Sequence, residues 1–274
     1  MRIRSMTSAD LNAALAVTLD LGWGDLRPHY GFCLNQVGCH PFIAEVDGAV
    51  VGTAVAIQKG DVGWLGYAIV GSQLRRRGIG TTLTSTVADH LEELGCQTLL
   101  LIATELGRPV YERLGFALDG YYHALVGPSL PRLPSDPRLR PLLTADLHAI
   151  CELDRCVTSE DRSPHIRAFG RERWVLAGDD GVRSYFVPTP WGEGPAAALH
   201  PADGCVLLDV VRAIAGRRGQ SETRIVLPAG NLAGREYLLS AGFLEVGRAT
   251  RMARGAPLEW HPERIWGRFA GGLG

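Results

Sequence analysis

The sequence predicts an α/β (α+β) chain of two tandem domains, each a sheet flanked by helices. Three observations predict it: strands and helices alternate along the first half, four prolines then recur at every third position, and the second half repeats patterns of the first. With 274 residues, 46% of them hydrophobic, the chain can bury two cores. The expected domains are residues 1–126 and 138–274, joined by a Pro-rich linker at 127–137, which we expect to be stiff and extended.

Local patterns define each element of the first half. Thr7 and Asp10 form a capping-box pattern, Asp47-Gly48 suits a two-residue hairpin turn, and Gly115 suits a helix C-cap. The predicted elements are a strand at 3–6, a helix from 7 to about 19, a helix at 26–37, hairpin strands at 42–45 and 50–57, a strand at 64–70, a helix from about 80, a strand at 98–103, a helix at 107–114 and a strand at 116–125.

The stretch Val70–Thr81 joins a buried strand to a helix. Apolar residues recur at helical spacing after it, at Leu83, Val87, Leu91 and Leu94. At such a turn, unpaired backbone N–H groups meet the positive end of the helix dipole, which together make an anion site. Gly78 and Gly80 let the backbone approach a ligand closely, because neither carries a Cβ atom.

Two motifs in this half carry a resemblance to a known family. Arg75-x-x-Gly78-x-Gly80 lacks the lysine of a Walker loop and instead resembles the acyl-CoA pyrophosphate loop of the GNAT N-acetyltransferases. The run Tyr111–Phe116 resembles the Tyr-x-x-hydrophobic-Gly-Phe sequence of the last helix and turn of that family. The order β-α-α-β-β-β-α-β-α-β over residues 1 to about 125 is also that of a GNAT domain.

The resemblance implies a mixed, mostly antiparallel sheet whose fourth and fifth strands splay apart. It further implies that acetyl-CoA, or another acyl-CoA, is the co-substrate and that no metal is needed. The residues implied to bind it are Ala68, Ile69 and Val70 for the pantetheine arm, and Arg75, Arg76, Arg77, Gly78, Ile79, Gly80 and Thr81 for the pyrophosphate. Tyr111 is implied to protonate the leaving thiolate. Alternatively, Tyr111 only packs or hydrogen-bonds the sulfur, and the arginines are solvated.

The general base is not specified by any motif. Glu45, Asp61 and Glu105 are candidates by their family-like location, although each also suits a surface or turn position. A relay of water molecules is an alternative. His40 and His123 are expected to be structural or exposed.

The second half repeats the first but departs from it where the chemistry would lie. Four stretches parallel the first half: Arg138–Ala149 with Arg2–Ala13, Asp180-Gly181 with Asp47-Gly48, Arg224–Pro228 with Leu99–Ala103, and Leu238–Phe243 with Tyr111–Phe116. However, His200–Gly204 replaces the Gly-rich loop, Leu238 replaces Tyr111, and Gly216–Gly219 follows its helix as a C-terminal cap. The half therefore resembles the degenerate C-terminal domains of tandem bacterial GNAT proteins, and we expect one acyl-CoA per chain. A tail after it is expected to pack back through Trp260, Ile265, Trp266 and Phe269.

Composition excludes several classes of function. The net charge is −1, and Lys59 is the only lysine, so no basic field indicates nucleic acid or an anionic membrane. No segment approaches the length of a membrane span. Six scattered cysteines are expected to be reduced and mostly buried, which indicates a cytoplasmic protein. A metal site at Cys33, Cys39 and His40 is disfavoured, because a structural zinc site requires four well-spaced ligands.

The expected function is transfer of an acetyl group from acetyl-CoA to a primary amine of a small molecule or peptide, by direct attack. A non-catalytic acyl-CoA sensor or scaffold is the alternative, as is transfer of another acyl or aminoacyl group. The acceptor is not readable. Trp23, Trp64 and Tyr67 either shape an aromatic acceptor pocket or, as we expect, pack in the core. A homodimer is possible.

Overall fold

The computed structural model of the protein describes residues 1–170, 172–179 and 181–274. The described strands are β1 (Arg2–Ser5), β2 (Cys39–Val46), β3 (Ala49–Lys59), β4 (Val62–Val70), β5 (Thr98–Ala103), β6 (Ala117–Pro128), β7 (Leu139–Pro141), β8 (Trp174–Gly178), β9 (Gly181–Phe186), β10 (Ala196–Ala198), β11 (Glu222–Pro228), β12 (Leu244–Gly255) and β13 (Ile265–Gly267). The described helices are α1 (Leu11–Leu19), α2 (Arg27–Asn35), α3 (Ile79–Glu93), α4 (Arg108–Arg113), α5 (Leu147–Thr158), α6 (Ser163–Ala168), α7 (Pro201–Arg217) and α8 (Leu232–Ser240).

The element order occurs twice along the chain. From β1 to β6 the order is β-α-α-β-β-β-α-β-α-β, and from β7 to β12 it is the same, with β13 added after it. The predicted order of the first half is confirmed. Of the second hairpin turn, Asp180 lies outside the described residues, while Gly181 begins β9.

One ion pair shows the duplication at atomic detail. Arg4 Nη1 lies 2.8 Å from Asp10 Oδ2, and Arg140 Nη1 lies 2.7 Å from Asp146 Oδ2. In both copies the same aspartate also accepts from the backbone N–H three residues before it, on Thr7 or on Leu143. The predicted parallel between the two openings is therefore confirmed, because the same contacts recur at the same spacing.

The chain forms two compact units that are not simple halves. Unit 1 contains Met1–Asp119, Arg251–Pro257 and Gly271–Gly274, and unit 2 contains Gly120–Thr250 and Leu258–Ala270. The strands β6 and β12 each give one end to each unit. The domain boundaries expected from the sequence, at residues 126 and 138, stay a prediction.

In unit 1 the strand order is β1-β2-β3-β4-β5, followed by the Arg251–Gly255 end of β12. Neighbours from β1 to β4 are antiparallel, and β4 and β5 are parallel. The spacing predicted for α3 is confirmed at Leu83, Val87 and Leu91, which are fully buried against the sheet, whereas Leu94 is the half-buried C-cap. Met252 of β12 belongs to the same core.

In unit 2 the strands β13-β10-β9-β8-β7 form one antiparallel series, and β6 pairs antiparallel with β11. Its core includes Leu207, Leu238, Phe243 and Trp266. The Pro-rich stretch after β6 has no helix or strand until β7, and it is hydrogen-bonded to this unit through Leu130 N–H, which donates to Arg212 O at 3.1 Å.

The predicted tail packs back as expected. Ile265, Trp266 and Phe269 are buried in unit 2, and Trp260 is half-buried. Gly219, in the left-handed region at φ 77°, follows α7, which fits the predicted C-terminal cap. Among the described residues, no helix combines the length and apolar character that crossing a bilayer would require.

Candidate functional site

Two neighbouring parallel strands of unit 1 separate part-way along their length. β4 and β5 pair from Val62–Thr98 to Leu65–Leu101. Among residues 62–103, all of which are described, no pair follows Leu65–Leu101, although β4 continues to Val70. The backbone of Gly66–Val70 therefore faces an opening on its β5 side, with N–H and C=O groups available to a ligand.

A β-bulge lies where the strands separate. Thr53 pairs with Ile69 and Val55 pairs with Gly66, so Tyr67 and Ala68 together oppose one residue of β3. Tyr67 has a φ of 49°, in the left-handed region that non-glycine residues rarely adopt. Such strain persists only where neighbouring contacts hold it.

A buried hydrogen-bond relay holds this bulge. Thr53 Oγ1 donates to Tyr67 O at 3.0 Å, and Thr53 is fully buried. The Thr53 proton is used in that bond, so the Tyr30 hydroxyl, 2.8 Å away, donates to Thr53 Oγ1. Burial raises the pKa of Tyr30, which keeps that donor protonated. The sequence reasoning missed Thr53 and Tyr30, because no motif marks them.

The predicted phosphate turn lies directly after β4. Arg75, Arg76 and Arg77 are exposed, and Arg76 has a φ of 60°. Gly78 is the N-cap of α3 at φ 81°, a conformation that costs glycine nothing. In this fully described stretch, the N–H groups of residues 76–81 donate to no backbone carbonyl. The turn thus offers unpaired donors and the positive end of a fifteen-residue helix.

The side chain of Tyr111 lies at the same end of the sheet. It belongs to the core cluster that contains Ile79, at the start of α3, and Ala103, at the end of β5. Gly107 provides room for it, because a Cβ there would lie 2.9 Å from Tyr111 Cε2. Burial raises the pKa of Tyr111 to about 12, so its hydroxyl is protonated at neutral pH.

The three carboxylates considered as general base are placed very differently. Asp61 precedes β4, about 23 Å along the strand from Ala68 at 3.3 Å per residue, so it is far from the opening. Glu45 is held in an ion pair, with its Oε1 2.6 Å from Arg4 Nη2. Glu105 is exposed in the turn after β5, at the open end of the strands.

The other candidate side chains differ in their contacts and burial. His40 contacts His90 near the far end of α3, with ring centroids 4.8 Å apart, and burial lowers its pKa. His123 Nδ1 lies 2.7 Å from Glu245 Oε1. Trp64 and Tyr67 are buried, as expected for core packing, whereas Trp23 is 45% exposed. Cys33 and Cys39 are buried free thiols, and among the described residues no cluster of three or more His, Cys, Asp and Glu side chains could hold a metal.

A cavity of about 690 Å³ reaches the start of the phosphate turn. It lies among α1, the β2–β3 hairpin and Gly71–Leu74, and the carboxylates of Asp10, Asp20 and Glu45 line it. Arg4 also lines it and pairs with Asp10 and Glu45, whereas Arg75–Arg77 lie outside its lining. Neither Ala68 nor Tyr111 lines it.

Comparisons with known proteins agree with this geometry. Residues 11–116 match the model of the acetyltransferase (GNAT) family. The likeness to that family in sequence therefore covers residues 11–116. No curated protein matches the chain in sequence.

Solved structures are similar to this chain in fold along nearly its whole length. A candidate acetyltransferase from Pyrococcus horikoshii superposes with a TM-score of 0.83 at 19% identity, covering 100% of this chain and 95% of that one. A tandem GNAT protein from the clavulanic acid biosynthesis pathway gives 0.65 at 12% identity, covering 93% and 99%. A GCN5-related N-acetyltransferase from Sphaerobacter thermophilus gives 0.59 at 17% identity, covering 93% and 95%.

In unit 2, the strand edge that corresponds to the open edge of β4 in unit 1 is occupied. β10 stands fourth in the order β7-β8-β9-β10-β13, as β4 does in β1-β2-β3-β4-β5, and β13 pairs with it through Ala196–Gly267 and Ala197–Ile265. In unit 2, β13 thus occupies the edge of β10 that corresponds to the open edge of β4. Trp266 of β13 also covers the start of α7, since a Cβ on Gly204 would lie 1.9 Å from its indole.

The start of α7 also carries its own anion. Asp203, in the first turn, is 2% exposed and accepts a hydrogen bond from Arg138 Nη1 at 2.6 Å. A carboxylate at this end of a helix is stabilised by the helix dipole and opposes a phosphate. These contacts give a physical reason for the missing Gly-rich loop between β10 and α7.

Proposed function

We propose that unit 1 transfers an acetyl group from acetyl-CoA to a primary amine of a small molecule or peptide. The observation that supports this is the juxtaposition, at one end of the sheet, of the opening between β4 and β5, the donor-rich turn before α3 and the buried Tyr111. The acyl-CoA supplies an acetyl thioester whose sulfur departs as a thiolate. The chain's own residues then have three tasks.

The first task is to bind the co-substrate. Backbone groups of Ala68, Ile69 and Val70 are suited to pair with the pantetheine arm, because they have no strand partner on that side. The turn from Arg75 to Thr81, including Ile79 and Gly80, is suited to the pyrophosphate, with exposed Arg75, Arg76 and Arg77 adding charge.

The second task is to stabilise the tetrahedral oxyanion. The bulge at Tyr67 turns the Tyr67 carbonyl towards Thr53, so the neighbouring N–H groups of β4 are the donors left for the opening. Preorganised backbone donors cost no reorganisation at the moment of reaction. Thr53 and Tyr30 act here as positioning residues.

The third task is proton transfer. Tyr111 holds a proton at its hydroxyl and delivers it to the leaving sulfur. Its pKa of about 12 is above that of a thiol in water, near 8.5. However, the burial that raises the pKa of Tyr111 raises that of a thiolate in the same surroundings, since both lose hydration of an anion. The amine attacks in its neutral form, and Glu105 is the candidate base whose position fits.

The test is a screen of amines with acetyl-CoA, following release of free thiol, alongside calorimetric binding of CoA. We expect about one CoA to bind per chain, because β13 occupies the corresponding strand edge in unit 2. We also expect release of thiol with at least one amine. Binding without turnover on any polyamine, amino acid, antibiotic or peptide would support the sensor alternative. No binding at all would overturn both.

A further inference from the structure

The segment Gly271–Gly274 belongs to unit 1 and lies directly on β4. A Cβ on Gly66 would lie 1.8 Å from Gly272 O, and a Cβ on Gly272 would lie 2.7 Å from the Tyr67 ring. Real Cβ atoms do not approach other atoms so closely. The segment and the strand therefore meet backbone to backbone, with no room for a side chain at either glycine.

A buried charge anchors this segment. Lys59, the chain's only lysine, is fully buried, and its ammonium donates to Leu273 O at 2.7 Å. Leu273 is itself 2% exposed, and a Cβ on Gly274 would lie 2.5 Å from the Trp64 indole. Hydrogen bonds from charged groups are stronger than neutral ones, so the segment is fixed in place.

The polarity of β4 places this segment beyond the thioester. The phosphate turn follows Val70, and the pantetheine arm is assigned to Ala68–Val70, so the arm runs back along the strand from the turn. The next residues in that direction are Tyr67 and then Gly66, which is about 13 Å from Val70 at 3.3 Å per residue. An acyl chain, attached beyond the sulfur, must extend towards them.

We propose that Gly271–Gly274 forms the end wall of the acyl pocket and restricts the donor to short acyl groups such as acetyl. This inference rests on the proposed function, because it needs an acyl-CoA in the opening of β4 and β5. A longer chain would have to displace a segment that is pinned by Lys59 and packed on Gly66. Residues that no family motif includes would thus set the donor specificity.

The experiment compares Kd values for CoA, acetyl-CoA, butyryl-CoA and octanoyl-CoA, which needs no knowledge of the amine. The wild-type chain is expected to bind octanoyl-CoA at least about tenfold more weakly than acetyl-CoA. A chain that ends at Ala270 is expected to lose this discrimination while retaining its affinity for CoA. Its octanoyl-CoA affinity should rise, because the chain can then bury its methylene groups.

Lys59→Met provides the matched control. Truncation removes the Leu273 carbonyl that accepts from Lys59, so the truncation is also made in the Lys59→Met background, where that ammonium is absent. Lys59→Met alone keeps the segment but removes its anchor, so its discrimination should lie between those of the wild-type and truncated chains, whereas the double variant should lose it. Equal discrimination in truncated and intact chains would overturn the inference and leave the proposed function intact. Failure of the wild-type chain to bind CoA would overturn both.

Discussion

At the scale of single residues, Tyr111 illustrates how burial sets chemistry. The side chain is 9% exposed, and burial raises its pKa to about 12. The hydroxyl is therefore protonated at neutral pH, as the proposed proton donor must be.

Removing that hydroxyl tests its role. Tyr111→Phe is expected to lower kcat for acetyl transfer by about 10²-fold or more, the typical contribution of a general acid, with little change in melting temperature. The measurement is thiol release from pH 7 to 10. Because the pKa of Tyr111 is about 12, its ionisation should add no fall in rate over this range for the wild-type chain.

Tyr122→Phe, at a second buried tyrosine, is the control and should keep full activity. Full turnover of Tyr111→Phe across this pH range would show instead that Tyr111 only packs at the site.

His29 gives a pH-dependent prediction. It contacts the Tyr67 ring edge-on at 5.7 Å, and burial lowers its pKa from 6.5 to about 4. Between about pH 4 and pH 6.5, His29 is therefore protonated in the unfolded chain but neutral in the folded chain. The free energy of unfolding should therefore fall as the pH drops through this window.

The check is urea unfolding at several pH values between 4 and 7. His29→Gln should show a shallower fall than the wild-type chain, while His148→Gln, at an exposed histidine of α5, should follow the wild type. An identical pH slope for His29→Gln and wild type would contradict the assignment.

At the scale of elements, the bulge in β4 depends on a strand that does not contain it. Thr53→Val keeps the side-chain shape but removes the hydroxyl that accepts from Tyr30 and donates to the Tyr67 carbonyl. Two buried polar groups lose their partner, and we expect a loss of about 1–3 kcal/mol in the free energy of unfolding. Denaturant titration measures it.

Tyr30→Phe is the matched variant, because it removes the donor to Thr53 and leaves the bond from Thr53 to Tyr67 intact. It should keep acyl-CoA binding, whereas Thr53→Val should weaken it by releasing the bulge. Equal binding by both variants would show that the bulge does not depend on the relay.

Local patterns were enough to predict elements whose signals lie within a few residues. The strand at Thr98–Ala103 was predicted at its exact bounds, and the hairpin turn at Asp47-Gly48 adopts the left-handed conformations that the pattern requires. By contrast, the start of β12 at Leu244 carries no such signal, because its first residues are all exposed.

The candidate site was predictable only where motifs exist. Gly78 adopts the positive φ that its place in the motif implies, and Tyr111 lies at the predicted end of the sheet. The relay through Thr53 and the anchoring by Lys59 join residues far apart in sequence, and periodicity does not reveal such partners. Whether the predicted site residues bind acyl-CoA stays a prediction.

At the scale of the whole molecule, unit 1 is completed by segments from late in the chain. Met252 is 1% exposed in its core, Thr98 Oγ1 donates to Ala256 O at 2.8 Å, and Ala256 N–H donates to Gln97 O at 2.9 Å. Sequence patterns identify a strand but not its neighbour, so this composition could not be predicted from residues 1–126 alone.

A fragment of residues 1–126 should therefore be deficient on its own. It lacks Met252 and the strand beside β5, which leaves core surface and backbone groups uncovered, so we expect a lower melting temperature or no cooperative transition. Circular dichroism during heating measures this. Co-expression with residues 127–274 should restore the transition.

The control is the full chain cut at a protease site inserted beside the exposed Arg132, which keeps every residue present. It should melt like the intact chain. A fragment of residues 1–126 that melts as cooperatively and as high as the full chain would contradict the composition of unit 1.

The order of synthesis gives the exchanged segments a further consequence. Roughly 130 residues separate Asp119 from Arg251, and at about 5–20 residues per second a ribosome needs on the order of ten seconds to translate them. During that time, the edge of β5 that pairs with β12 in the finished chain is uncovered. A message broken anywhere in this interval yields an unfinished unit 1, so completion of unit 1 depends on synthesis of the second half.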